Sequence, residues 1–155
     1  MDTKMGFEKV GDLQMRFSKW VKAPRALVWK AHTEPALLAQ WWGPQGFSIT
    51  THSIDLRTGG TWKLTMHAPD GTDYPNMMWY KEVKEPVLMD YDHGDFEAPH
   101  FHVRTELIEE GGGTSIVTVM SFKDKASRDQ TAEFALPGHT STMERLEALM
   151  AKEQA

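Results

Sequence analysis

The chain has 155 residues, with 22 acidic and 17 basic side chains, a formal net charge of -5 and no cysteine. An acidic balance argues against a nucleic-acid binder, which normally shows a basic face, and against docking on anionic lipid. Lack of cysteine excludes disulfides and thiolate metal sites and fits a reducing compartment. No apolar run approaches the roughly 18 residues of a membrane span, and Asp2, Lys4, Glu8 and Lys9 give the N-terminus no signal-peptide character, so the expected location is the cytoplasm.

Leu13, Met15, Phe17 and Val21 recur with period two, interrupted by Lys19, and residues 13–21 read as a half-buried strand. Ala23-Pro24 ends it, and Pro24 suits the first turn of a helix, where its missing N–H is harmless. Ala26, Leu27, Trp29 and Lys30 continue that helix. Thr33 reads as the N-cap of a second short helix, with Pro35 in its first turn and Leu37, Leu38, Trp41 and Trp42 on its apolar side. Gly43-Pro44 stops it.

Strands are expected at 47–56, 61–67, 74–83 and 87–91, separated by turns at Thr58-Gly59-Gly60, Pro69-Asp70-Gly71-Thr72 and Glu85-Pro86. Residues 92–99 read as a polar loop. Strands 101–108 and 115–122 form a last hairpin around Gly111-Gly112-Gly113. This glycine run is a hairpin turn rather than a phosphate cradle, because no helix opens after it. Ser127 with Gln130, and Ser141 with Glu144, read as two capping boxes, with Leu136-Pro137-Gly138 breaking or kinking the helix between them. Met143, Leu146, Leu149 and Met150 form one apolar stripe, and the longest helix is expected near 140–152.

A sheet that is apolar on one face must cover it, and the last helix is the only late element able to do so. The expected fold is therefore α+β: one domain, with a curved antiparallel sheet crossed by a C-terminal helix and two short helices after the first strand. Where the sheet bends around the helix, a pocket forms. Trp62, Leu64 and Met66 alternate with Thr61, Lys63 and Thr65 and are expected to face Met143, Leu146 and Met150 across it. Met78, Tyr80 and Phe101 complete the expected lining. The mouth is expected near Trp41, Trp42 and the segment from Phe134 to His139, where Pro137 and Gly138 keep the backbone irregular. Six tryptophans and ten methionines suit an irregular cavity wall, although core filling alone also accounts for them.

Polar candidates are few. His100 and His102 share one strand face, with His93 in the loop before them, but Arg104 and Glu106 lie on the same face. A solvated surface is thus expected there, with no metal and no cofactor. Asp55 and Arg57 read as a turn-stabilising ion pair. Glu82, near Tyr80, is an acid–base candidate only if it points inward; an outward glutamate is the favoured reading. Tyr80, Tyr91 and His67 are the other weak candidates, and no catalytic residue is assigned.

Several segments carry a resemblance. They are Ala23-Pro24-Arg25-Ala26-Leu27-Val28-Trp29, Thr33-Glu34-Pro35 through Trp41-Trp42-Gly43-Pro44, Ile54-Asp55-Leu56-Arg57-Thr58-Gly59-Gly60-Thr61-Trp62, and Asp70-Gly71-Thr72-Asp73-Tyr74-Pro75. With Gly112-Gly113-Thr114 and Arg128-Asp129, and in this order, they resemble the AHSA1-like family, related to the C-terminal domain of the activator of Hsp90 ATPase. That family lies in the START and Bet v 1-like (SRPBCC) superfamily, and the resemblance spans about residues 12–150. It implies a helix-grip fold with six or seven strands. Residues 134–139 depart from the family's usual lead into the last helix. The chaperone activator itself carries an additional N-terminal domain that contacts Hsp90, which nothing in this sequence encodes. The leading functional expectation is binding of a small apolar or amphipathic molecule in the cavity. A protein-interaction module, a chaperone accessory, is the alternative, and a cyclase- or hydrolase-like enzyme is the third.

Overall fold

A computed structural model describes residues 2–155. In chain order the elements are β1 (Gly6–Val10), β2 (Gln14–Val21), α1 (Arg25–Thr33), α2 (Pro35–Trp41), β3 (Ser48–Ile54), β4 (Thr61–His67), β5 (Asp73–Lys84), β6 (Leu88–Gly94), β7 (Pro99–Glu110), β8 (Gly113–Ser121) and α3 (Lys125–Glu153). The eight strands form one antiparallel sheet in the order β1-β2-β8-β7-β6-β5-β4-β3. This is the helix-grip architecture, with eight strands rather than six or seven. The additional strand is β1, which folds back on β2 through Gly11 at φ 57°, a backbone geometry that favours glycine. Glu8 and Lys9 obscure β1 in the sequence, because an edge strand needs little apolar alternation.

Leu13 lies in that turn and is exposed, so it does not begin the inward face of β2. Met15, Phe17, Lys19 and Val21 form that face, and all four are buried. The Lys19 ammonium is tolerated inside because it donates to Glu147 of α3 at 3.2 Å and to the Thr3 carbonyl.

Thr33 is the last residue of α1, not a cap. Glu34 precedes the first turn of α2, and Pro35 sits where the missing N–H costs nothing. The predicted loop at 92–99 shrinks to 95–98, since β6 runs on to Gly94 and β7 starts at Pro99. That extension places His93 within a strand.

Neither predicted capping box forms. The Asp124 carboxylate caps α3, accepting from the Ser127 N–H at 2.7 Å. Ser141 is mid-helix, where its hydroxyl accepts from the Gln45 N–H at 2.8 Å. Pro137 does not break α3, which runs unbroken for 29 residues. Each side of the proline is held separately: Ala132 packs against Met15, Phe17 and Phe122, while Met143, Leu146, Leu149 and Met150 enter the main core. Beyond the proline, the Thr140 and Thr142 hydroxyls donate to the Leu136 and Gly138 carbonyls at 2.6 and 2.9 Å.

Candidate functional site

The concave face of the sheet does not meet α3 everywhere. Between them lies a cavity of about 250 Å³. Its sheet wall is built by cross-strand rows. Trp62, Met78, His93 and Phe101 stand side by side on β4 to β7, and Tyr80, Tyr91, Val103 and Met120 form the next row on β5 to β8. Met89, Thr105 and Thr118 make a third row. The helix wall comes from Ala135, Gly138, His139, Thr142 and Met143 of α3, and His32 of α1 contributes from a third side.

One flank is a sequence of edge-to-face rings. His32 meets Trp41 at 4.8 Å, Trp41 meets Trp42 at 5.4 Å, and Trp42 meets Trp62 at 4.9 Å. The indole N–H groups of Trp41 and Trp62 are satisfied, Trp41 donating to the Ala31 carbonyl at 2.9 Å and Trp62 to the Thr51 hydroxyl at 3.1 Å. Both rings therefore present carbon rather than a polar tip to the void.

The lip beyond Trp42 is held by Arg145. One guanidinium nitrogen donates to the Gly43 and Pro44 carbonyls at 2.8 and 3.2 Å and, more weakly, to those of Phe47 and Trp42. Gly43 itself sits at φ 95°, and a Cβ there would come within 2.9 Å of the Met66 terminal methyl. The backbone can press against the cavity wall at that point only without a side chain.

No Asp, Glu, Lys or Arg side chain lines the cavity. Its polar groups are three imidazoles and a few hydroxyls. Burial lowers the pKa of His32, His93 and His139 from 6.5 to about 4, so all three are neutral at pH 7. Charge on His100 opposes that on His93, and charge on His32 opposes that on His139, in the same direction. Burial raises the phenols of Tyr80 and Tyr91, which stay protonated. These two rings meet at 5.7 Å.

Two tautomers follow from the partners. His32 Nδ1 lies 2.8 Å from the Val28 carbonyl, which can only accept, so Nδ1 carries the proton and Nε2 a lone pair. Asn76 donates its amide N–H to the Tyr74 carbonyl at 3.1 Å, which turns its oxygen towards His93. His93 Nε2 donates to that oxygen at 2.6 Å, leaving Nδ1 with the lone pair.

Of the residues expected to line the cavity, Trp62, Met66, Met78, Tyr80, Phe101 and Met143 do so, as do Trp41 and Trp42. Leu64, Leu146 and Met150 are fully buried in the main core and do not reach the void. Of the segment expected at the mouth, Ala135, Gly138 and His139 line the cavity, while Phe134 is 72% exposed and does not. Helical geometry explains this, because an unbroken α3 turns residue 134 to the outer face.

Glu82 faces outward and pairs with Lys84 at 3.5 Å. A register shift between Tyr80 and Glu82 returns Val83, not Glu82, to the inner face opposite Met89. His67 lies near the surface between Thr50 and Asp73. On the outer face, His100 pairs with Asp95, and His102 lies between Asp90 and Asp92. Among the described residues no three His, Asp or Glu side chains converge as metal ligands, and no helix is long and apolar enough to cross a membrane. His32 and His93 were not read from the sequence as cavity residues, and His139 was reached only as the end of the segment expected at the mouth. His93 alternates with Met89 and Tyr91, and that period-two spacing was the available signal.

Comparison with known proteins agrees with this geometry. A protein of Nitrosomonas europaea superposes with a TM-score of 0.86 at 26% identity, covering 94% of this chain and 99% of that one. A protein of Mycobacterium smegmatis gives 0.85 at 24% identity, covering 96% and 99%. The AHSA1 protein of Silicibacter pomeroyi gives 0.75 at 23% identity, covering 90% and 99%. No curated protein matches. Residues 22–151 match the family described as activator of Hsp90 ATPase homolog 1-like protein, and the chain belongs to that family.

Proposed function

We propose that this protein binds one small, uncharged molecule in its cavity without transforming it. Family and fold accord with either ligand binding or a co-chaperone-like role. The observation that carries the narrower reading is a void of about 250 Å³ lined by aromatic rings and thioethers, with no charged side chain. A cavity of about 150 Å³ accommodates benzene, so this one suits a two-ring molecule. Non-catalytic binding is supported by the chemistry of the polar groups. The imidazoles are weak bases at a pKa of about 4, and the two phenols hold their protons. The acidic charge and the lack of cysteine support a cytoplasmic setting.

Naphthalene is the simplest probe. Titrated into the protein, it should perturb tryptophan emission through Trp62 and raise the melting temperature. Trp62→Phe should keep the binding and lose part of the emission change, the rest coming from Trp41 and Trp42. An unaltered melting temperature up to the solubility limit of naphthalene, with unaltered emission, would refute the reading.

A further inference from the structure

The hydrocarbon lining explains why a ring would enter but not which ring. The unpaired imidazole nitrogens narrow the choice. Among the described residues, Arg25 Nε is the one side-chain polar atom both fully enclosed and without a partner. The unpaired nitrogens of His32, His93 and His139 are therefore accessible rather than sealed in protein, and all three residues line the void. His93 is the most firmly set. Asn76, only 9% exposed, is locked by the Tyr74 carbonyl and holds His93 Nε2 at 2.6 Å. The imidazole also packs against Phe101 at 4.9 Å. With Nε2–H committed, the remaining nitrogen can only accept.

We propose that His93, oriented by Asn76, is a specificity residue that selects an uncharged aromatic ligand bearing an O–H or N–H donor. This rests on the ligand-binding reading above and adds the polar half of the ligand.

The charge of the ligand follows from the same atoms. A carboxylate brought into the cavity would meet no cation, and the neutral hydroxyl donors there would repay only part of its hydration. An ammonium group would find ring faces and lone pairs but no carboxylate, and attraction by rings alone is weaker than the hydration it gives up. A neutral hydroxyl or ring N–H loses little and gains an acceptor already fixed in place. A wholly apolar ligand would leave the imidazole nitrogens without partners once water is displaced.

Four probes of equal ring size separate these cases: naphthalene, 2-naphthol, 2-naphthoate and 2-naphthylmethylammonium, each measured at pH 7 by calorimetry or emission. The expected result is 2-naphthol binding about fivefold tighter than naphthalene, the worth of one hydrogen bond, with both ions weaker than either. His93→Phe should equalise naphthol and naphthalene. Because that change orphans the Asn76 amide oxygen, the Asn76→Leu/His93→Phe double variant provides a second test in which no polar side chain is stranded. The naphthol-to-naphthalene ratio within one variant is insensitive to general loosening of the fold. Nitrogen-15 imidazole shifts should report the Nε2–H tautomer at His93 in the parent, and a tautomer mixture in Asn76→Leu. If naphthalene binds but naphthol shows no advantage, or if the advantage survives in both His93 variants, the inference is wrong and the cavity reading stands. If no probe binds, the cavity reading itself fails.

Discussion

Acid should unfold this protein in a window set by three histidines. His32, His93 and His139 have folded pKa values near 4 against 6.5 when unfolded. The unfolded chain thus takes up protons that the folded chain refuses. Their contribution to stability is fully present above pH 6.5 and is lost as pH falls from there towards 4. At pH 5 each buried imidazole has cost about 2 kcal/mol, and the three together about 6 kcal/mol. Around that pH the slope should approach 4 kcal/mol per pH unit, corresponding to three protons. Against a typical stability of about 5–15 kcal/mol, that is decisive. Carboxylates do not confuse this window. Asp70, Asp95, Asp124 and Asp129 are held below their usual 3.8 by hydrogen bonds, so their contribution persists down to that pH and fades only below it. Urea unfolding at half-unit steps from pH 7.5 to 4.5 measures the slope directly. His139→Phe keeps the ring stack on Phe17, seen at 4.4 Å, and should reduce the slope by about a third. Stability constant between pH 7 and 5, or a slope unaffected by His139→Phe, would show that these imidazoles are not enclosed as described.

Met143→Trp projects a larger ring from α3 into the cavity and should abolish naphthalene binding while the melting temperature holds or rises; a variant that still binds naphthalene would place the void elsewhere. Arg145→Met removes the guanidinium that gathers the Gln40, Gly43 and Pro44 carbonyls and should cost about 2 kcal/mol. Amide exchange across residues 42–47 should accelerate more than in the central strands. Uniform acceleration would mean that Arg145 supports the whole fold rather than the lip.

The sequence disclosed most where one periodicity ran without conflict. Residues 61–67 alternate cleanly, and β4 occupies those residues. Met143, Leu146, Leu149 and Met150 fall on one helical stripe, and all four are buried. It misled where a tertiary contact overrides a local rule. Lys19 looked like a break in β2 because its partner, Glu147, lies at the other end of the chain. Pro137 looked like a helix end because the separate anchorage of the two halves of α3 is not a local property. Glu82 and Tyr80 share a parity in sequence, and only the bulge between them parts their faces. The cavity histidines were hidden in the same way. His93 sits among Asp92, Gly94 and Asp95, whose composition signals a loop, while sheet pairing on both sides keeps the chain extended through Gly94.

The gap beneath α3 also carries an energetic consequence. Unfilled volume in a protein interior forfeits about 24 cal/mol per Å³. For 250 Å³ that is at most about 6 kcal/mol, on the scale of a domain's entire net stability. The material around the gap softens this cost. Met66, Met78, Met89, Met120 and Met143, five of the ten methionines, border it. Each is unbranched, with three rotatable bonds and a polarizable sulfur. Such a border yields at little expense, leaning into an empty space and withdrawing before an occupant. On the binding reading proposed above, the volume should be elastic, and guests of slightly different outline should bind with similar affinity.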